Sequence, residues 1–145
     1  MTYEFKLSCT LPAPPQAVFA AWLDCAAHSA MTGSEAKVGK SIGDPYSAWD
    51  GYIVGKTLEL VPGKRIVQSW RTTEFEPEDP DSTIVVDLEP TKTGTRLTLT
   101  HRGVPDGQTS YENGGWQDFY FAPMQAYFER EKKKSGAKPR PKPKP

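Results

Sequence analysis

The 145 residues are enough for one domain with a real core, and 37% hydrophobic with 11% aromatic content marks a globular chain. No apolar run approaches the roughly 18 residues a membrane span needs, and "MTYEFKLSCTL" lacks the apolar stretch of a secretion signal. The formal charge of zero hides a split: residues 132–145 hold seven Lys/Arg and no acid, leaving 11 basic against 18 acidic side chains, a net of −7, in residues 1–131.

"YEFKLSCTL" (3–11) alternates apolar and polar residues and predicts a first strand. "APPQAVFAAWLD" (13–24) starts with prolines where a helix tolerates them, and Val18, Phe19, Trp22 and Leu23 recur at helical spacing. "CAAHSAMTG" predicts a second helical piece ending at Gly33. Cys25 and His28 share a helical face there, an arrangement that can activate a thiol nucleophile. No oxyanion donor or third group accompanies them, so a semi-buried Cys beside a surface His is the plainer reading. The only other such residues are Cys9 and His101; their spacings match no zinc module and no disulfide framework. Neither metal nor cofactor is expected, and a reducing cytoplasm is the expected compartment.

"GSEAKVGKS" (33–41) comes within one residue of a phosphate-binding loop, which needs four residues between Gly and Gly-Lys-Ser; here there are five. Such a loop also follows a buried strand and opens a helix. This one follows a helical piece and precedes Gly43, Pro45 and Gly51, which make a helix improbable. It reads as a loop leading into a strand.

"YSAWDGYIVG" (46–55) predicts a hairpin with Asp50-Gly51 as a two-residue turn. "LELVPGKRIVQSWRTTEF" (58–75) repeats the pattern around Pro62-Gly63. "STIVVDLEP" (82–90) places Ile84, Val86 and Leu88 on one face, and "GTRLTLTHR" (94–102) places Leu97, Leu99 and His101 on one face. The run is an antiparallel meander. "WQDFYFAPMQAYFEREKKKS" (116–135) is the longest helical candidate. Its apolar residues cover more than half the helical wheel, so it is buried on more than one side or faces a ligand or partner. Pro123 inside it predicts a kink or a lost hydrogen bond. Residues 135–145 then form a Lys/Pro-rich tail expected to be disordered and solvated, a weak binder of anions with no specific nucleic-acid partner.

This order resembles the α+β helix-grip arrangement of the START-like, birch-pollen-allergen-like superfamily, with a curved antiparallel sheet wrapped around a long C-terminal helix. Within it, "DGYIVGKTLELVPGKRIVQSWR" (50–71), "HRGVP" (101–105) and "GWQDFYFAPMQAYF" (115–128) resemble the C-terminal-domain family of the heat-shock-protein-90 ATPase activator. The likeness covers roughly residues 3–131, so residues 1–134 are taken as the domain. It implies a stress-response protein without known catalytic residues, often with an apolar cavity between sheet and helix.

Trp116, Tyr120 and Tyr127 fall within about 40° of one another on an ideal helix and suit a cavity wall. His101 shares their side through its strand parity, and Gln117 lies at the apolar margin. Leu99, Met124 and Trp70 complete the candidate lining. Plain core is the commoner meaning of such a stripe, as a carbonyl-bonded strand-end imidazole is for His101. Three functions follow in order: non-enzymatic binding of a small hydrophobic or aromatic molecule, a cyclase- or aromatase-like enzyme, and a chaperone cofactor. Self-association as a homodimer is left open.

Overall fold

The computed structural model describes residues 2–105 and 115–136. Seven antiparallel strands form one curved sheet. β1 (Thr2–Leu11) leads through α1 (Pro15–Trp22) and α2 (Cys25–Thr32) into β2 (Lys37–Val38), β3 (Pro45–Ala48), β4 (Ile53–Val61), β5 (Arg65–Thr72), β6 (Ser82–Pro90) and β7 (Thr95–Pro105). The spatial order is β1-β7-β6-β5-β4-β3-β2. After residue 115 a π-helical turn over Gln117–Phe121 runs into α3 (Ala122–Gly136), which lies against α2 and β1. This is the helix-grip fold expected from the sequence.

Period-2 alternation places the core. Ile84, Val86 and Leu88 of β6 and Leu97 and Leu99 of β7 are all buried and belong to the cluster that also contains Trp116, Tyr120, Phe121, Met124 and Phe128. The cap of α2 follows from its ends. Asp24 Oδ2 accepts from Ala27 N at 2.9 Å, and Gly33 at φ 81° supplies the left-handed stop.

One turn differs from the sequence expectation. Asp50-Gly51 does not form a two-residue turn, because Ala48 pairs with Ile53 and the loop therefore contains four residues. Trp49, Asp50 and Gly51 all take positive φ, and Asp50 N donates to Glu35 O at 3.0 Å, so a tertiary contact shapes this loop. The stretch 33–41 is, as expected, a loop with a short strand and no helix after it. Gly39 packs directly on the Asp44 side chain, and Asp44 Oδ2 accepts from Ser41 N at 3.1 Å.

Pro123 is absorbed by the π-helical turn. A proline cannot donate, and its ring clashes with the carbonyl four residues back. Widening the preceding turn gives the ring room, and Ala122 N bonds to Gln117 O, five residues away. The extra residue shifts everything after it by about 100° around the axis.

Candidate functional site

The expected cavity wall is a packed aromatic cluster. Trp70 comes from β5, His101 from β7, and Trp116 and Tyr120 from the start of the C-terminal helix. The rings of Trp70 and Trp116 are 4.8 Å apart, those of Trp116 and Tyr120 5.0 Å, and that of His101 lies 5.9 Å from Trp116. Trp22 of α1 stacks on Tyr120 at 5.3 Å, and Phe5 of β1 packs 5.4 Å from His101. These separations are those of favourable ring pairs. Trp70, Trp116, Tyr120, Leu99, Met124 and His101 are each at most 3% exposed.

Two hydrogen-bond chains run through the cluster. Trp116 Nε1 donates to His101 Nδ1 at 3.2 Å. His101 Nε2 lies 2.9 Å from Ser82 Oγ, whose hydroxyl donates to Trp70 O at 2.7 Å. An indole can only donate and a carbonyl can only accept, so His101 is neutral with its proton on Nε2. Burial agrees, pulling its pKa from 6.5 to about 3. In the second chain His28 Nδ1 donates to Trp22 O at 2.8 Å, and Tyr120 OH donates to His28 Nε2 at 2.9 Å. Burial lowers the pKa of His28 and raises that of Tyr120, keeping both neutral. Trp22 Nε1 in turn donates to Gln68 Oε1 at 3.0 Å, and Gln68 Nε2 to Thr57 Oγ1 at 3.2 Å. Among the described residues Trp70 Nε1 has no hydrogen-bond partner.

Six of the eight residues named from the sequence therefore meet: Trp70, Leu99, His101, Trp116, Tyr120 and Met124. Gln117 does not, because its side chain is exposed. Tyr127 does not either. It is half-buried, packs on Phe128 at 5.0 Å, and lines a surface groove of about 340 Å³ with Pro12, Pro14 and Ala17. The phase shift at the π-helical turn separates it from Trp116 and Tyr120. His28 was expected at the surface and is 1% exposed. It does not face Cys25 as a partner, since the Cys25 thiol donates to Val38 O at 3.4 Å. Sequence reasoning missed Gln68, Ser82 and His28 as core groups. The available signal was strand parity, which puts Gln68 between Ile66 and Trp70 and Ser82 on the face of Ile84 and Val86. No group of three or more metal-ligating side chains comes together among the described residues.

Sheet, helix and buried aromatic cluster define a helix-grip domain of the START-like class. The chain belongs to the family described as Activator of Hsp90 ATPase homolog 1-like protein, whose model matches residues 12–129. The human activator of 90 kDa heat shock protein ATPase homolog 1 is 27% identical over 127 residues, 88% of this chain and 37% of the relative. The chain thus spans about two-fifths of the length of the curated relatives it matches. A crystal structure described as an HSP90 activator from Plasmodium falciparum is similar at TM-score 0.77 and 25% identity, covering 86% of this chain and 94% of that one. The solution structure of the Aha1 dimer from Colwellia psychrerythraea shares the fold at TM-score 0.71 and 17% identity, covering 86% and 96%.

Proposed function

We propose that this domain acts through its surface, as a non-catalytic module contacting an Hsp90-class chaperone. The observation that supports this reading is the close packing of the aromatic cluster where a cavity wall was expected. Trp70, Trp116, Tyr120 and His101 pack on one another's rings and not around an open space that these contacts define. The similarity to a solved activator chain matched over 94% of its length supports the partner. A cyclase-like reaction needs an imidazole free to exchange a proton with substrate. Both ring nitrogens of His101 and of His28 are already bonded.

Among the described residues the most exposed large apolar side chains lie on or beside β4: Ile42 at 62%, Leu58 at 46% and Val54 at 43%. The chain beside Ile42 joins the chain beside Leu58 through Gly43 N bonded to Thr57 O at 2.8 Å. Adjacent exposed apolar side chains are a common mark of a protein contact. The test is to titrate the domain into an Hsp90-class chaperone and follow ATP hydrolysis and binding by calorimetry. Binding that weakens at least tenfold in Leu58→Asp, with an unchanged melting curve, supports the reading. No binding by the wild type overturns it.

Binding of a small apolar molecule is the second reading, and the observation favouring it is the buried Trp70 Nε1 without a partner. An acceptor oxygen placed there would satisfy a donor that is costly to leave unpaired. Such a ligand has to part the aromatic rings. Saturable quenching of Trp fluorescence by an aromatic ketone, lost in Trp70→Phe, would support it.

A further inference from the structure

The long strand β1 lies at one edge of the sheet and pairs only with β7. Two contacts reveal which of its backbone groups face outward. The Leu11 carbonyl crowds Gly94 at the start of β7, so it points toward that strand. The Thr10 carbonyl points the other way, accepting from Gln125 Nε2 of α3 at 3.1 Å. Direction alternates along a strand, so Ser8, Lys6, Glu4 and Thr2 also turn their N–H and C=O outward. The irregularity between Tyr3 and Phe5 does not change this, because the extra residue is on β7, where Gly103 takes φ 70°. Gln125 covers the edge at Thr10. Among the described residues no hydrogen bond uses the outward groups of Glu4, Lys6 or Ser8.

We propose that this edge pairs with β1 of a second copy of the chain, antiparallel about a two-fold axis at Phe5. The side chains select that register. Glu4 and Lys6 are exposed on the same face, and an axis at Phe5 sets Glu4 opposite Lys6 of the partner subunit and Lys6 opposite Glu4 of the partner subunit. An axis at Glu4 or at Lys6 sets like charges opposite each other, which is destabilising. The stretch Thr2–Ser8, which no described residue covers, is also centred on Phe5, so every outward group on it finds a partner in this register alone. Charged side chains usually protect an edge from pairing. Here opposite signs two residues apart make the edge self-complementary, as a two-fold interface requires, and the two sheets become one.

Sedimentation velocity over a wide concentration range tests this. The wild type is expected to dimerise, Glu4→Lys and Lys6→Glu each to remain monomeric, and Glu4→Lys combined with Lys6→Glu to dimerise again. Glu4 also makes an exposed 3.7 Å ion pair with Arg102, a contact of little worth, and Lys6→Glu leaves it intact. Hydrogen exchange at the Lys6 amide should slow as wild-type concentration rises and stay concentration-independent in either single variant. A wild type that is monomeric throughout, or a dimer indifferent to the charge swaps, overturns the proposal.

Discussion

Trp116 Nε1 donates to His101 Nδ1 across 3.2 Å, joining the C-terminal helix to the strand that carries the imidazole. The bond also decides what His101 can do. With Nδ1 occupied by an indole and Nε2 bonded to Ser82, the ring is a fixed neutral spacer in the core.

The first prediction concerns acid. His101 titrates at about 3 in the folded protein against a reference of 6.5. As pH falls below about 6.5 the unfolded chain takes up this proton and the folded one does not, so stability falls until about pH 3 and then levels. At 1.36 kcal/mol per pKa unit the whole effect is on the order of 3–5 kcal/mol. His28 is shifted in the same direction and adds to it. Urea unfolding at several pH values should show a steeper acid loss for wild type than for His101→Gln, and equal slopes would contradict the assignment.

Tyr120→Phe isolates the second chain. The change keeps the ring stacked on Trp22 but removes the hydroxyl that donates to His28 Nε2. A buried acceptor left without its donor costs about 1–3 kcal/mol. Trp116→Ala, which deletes a ring from the centre of the cluster, should cost about 3–5 kcal/mol. Chemical denaturation should rank the two in that order.

Gly55 is a packing requirement. A Cβ there would run into the Ser69 carbonyl and the Tyr46 ring, which crosses it so that Tyr46 OH can donate to Ser69 O at 2.6 Å. Gly55→Ala should therefore destabilise by about 1–3 kcal/mol or more through overpacking, although alanine elsewhere in a strand outperforms glycine. An unchanged melting temperature would show that the strands can separate at no cost.

Lys40 tests the rejected nucleotide loop. Its side chain is 74% exposed and approaches only Asp24, at 3.9 Å. Lys40→Ala should change stability by no more than about 0.5 kcal/mol. ATP with magnesium should leave the wild-type melting temperature where it is, since only a ligand that binds the folded state raises it.

Strand parity and the helix-ending glycine determined much of the architecture from the sequence alone, because each is a local property. Ile84, Val86 and Leu88 face one way in any strand, and Gly33 ends a helix wherever the chain needs positive φ. The same parity pointed Leu99 and His101 inward correctly. What lay beyond local pattern was decided by packing. Ideal helical geometry set Tyr127 beside Trp116, and the π-helical turn before Pro123 shifts the later residues around the axis, leaving Tyr127 half-buried on a surface groove. Asp50 entered a longer loop because Glu35, distant in sequence, accepts its N–H. His28 read as a surface group, and Gln68 and Ser82 were not singled out, yet all three are buried because a tertiary partner satisfies each. Whether the grip is filled or hollow is likewise a matter of how rings from five separate elements meet. No single element contains that information, because packing is a property of the volume they share.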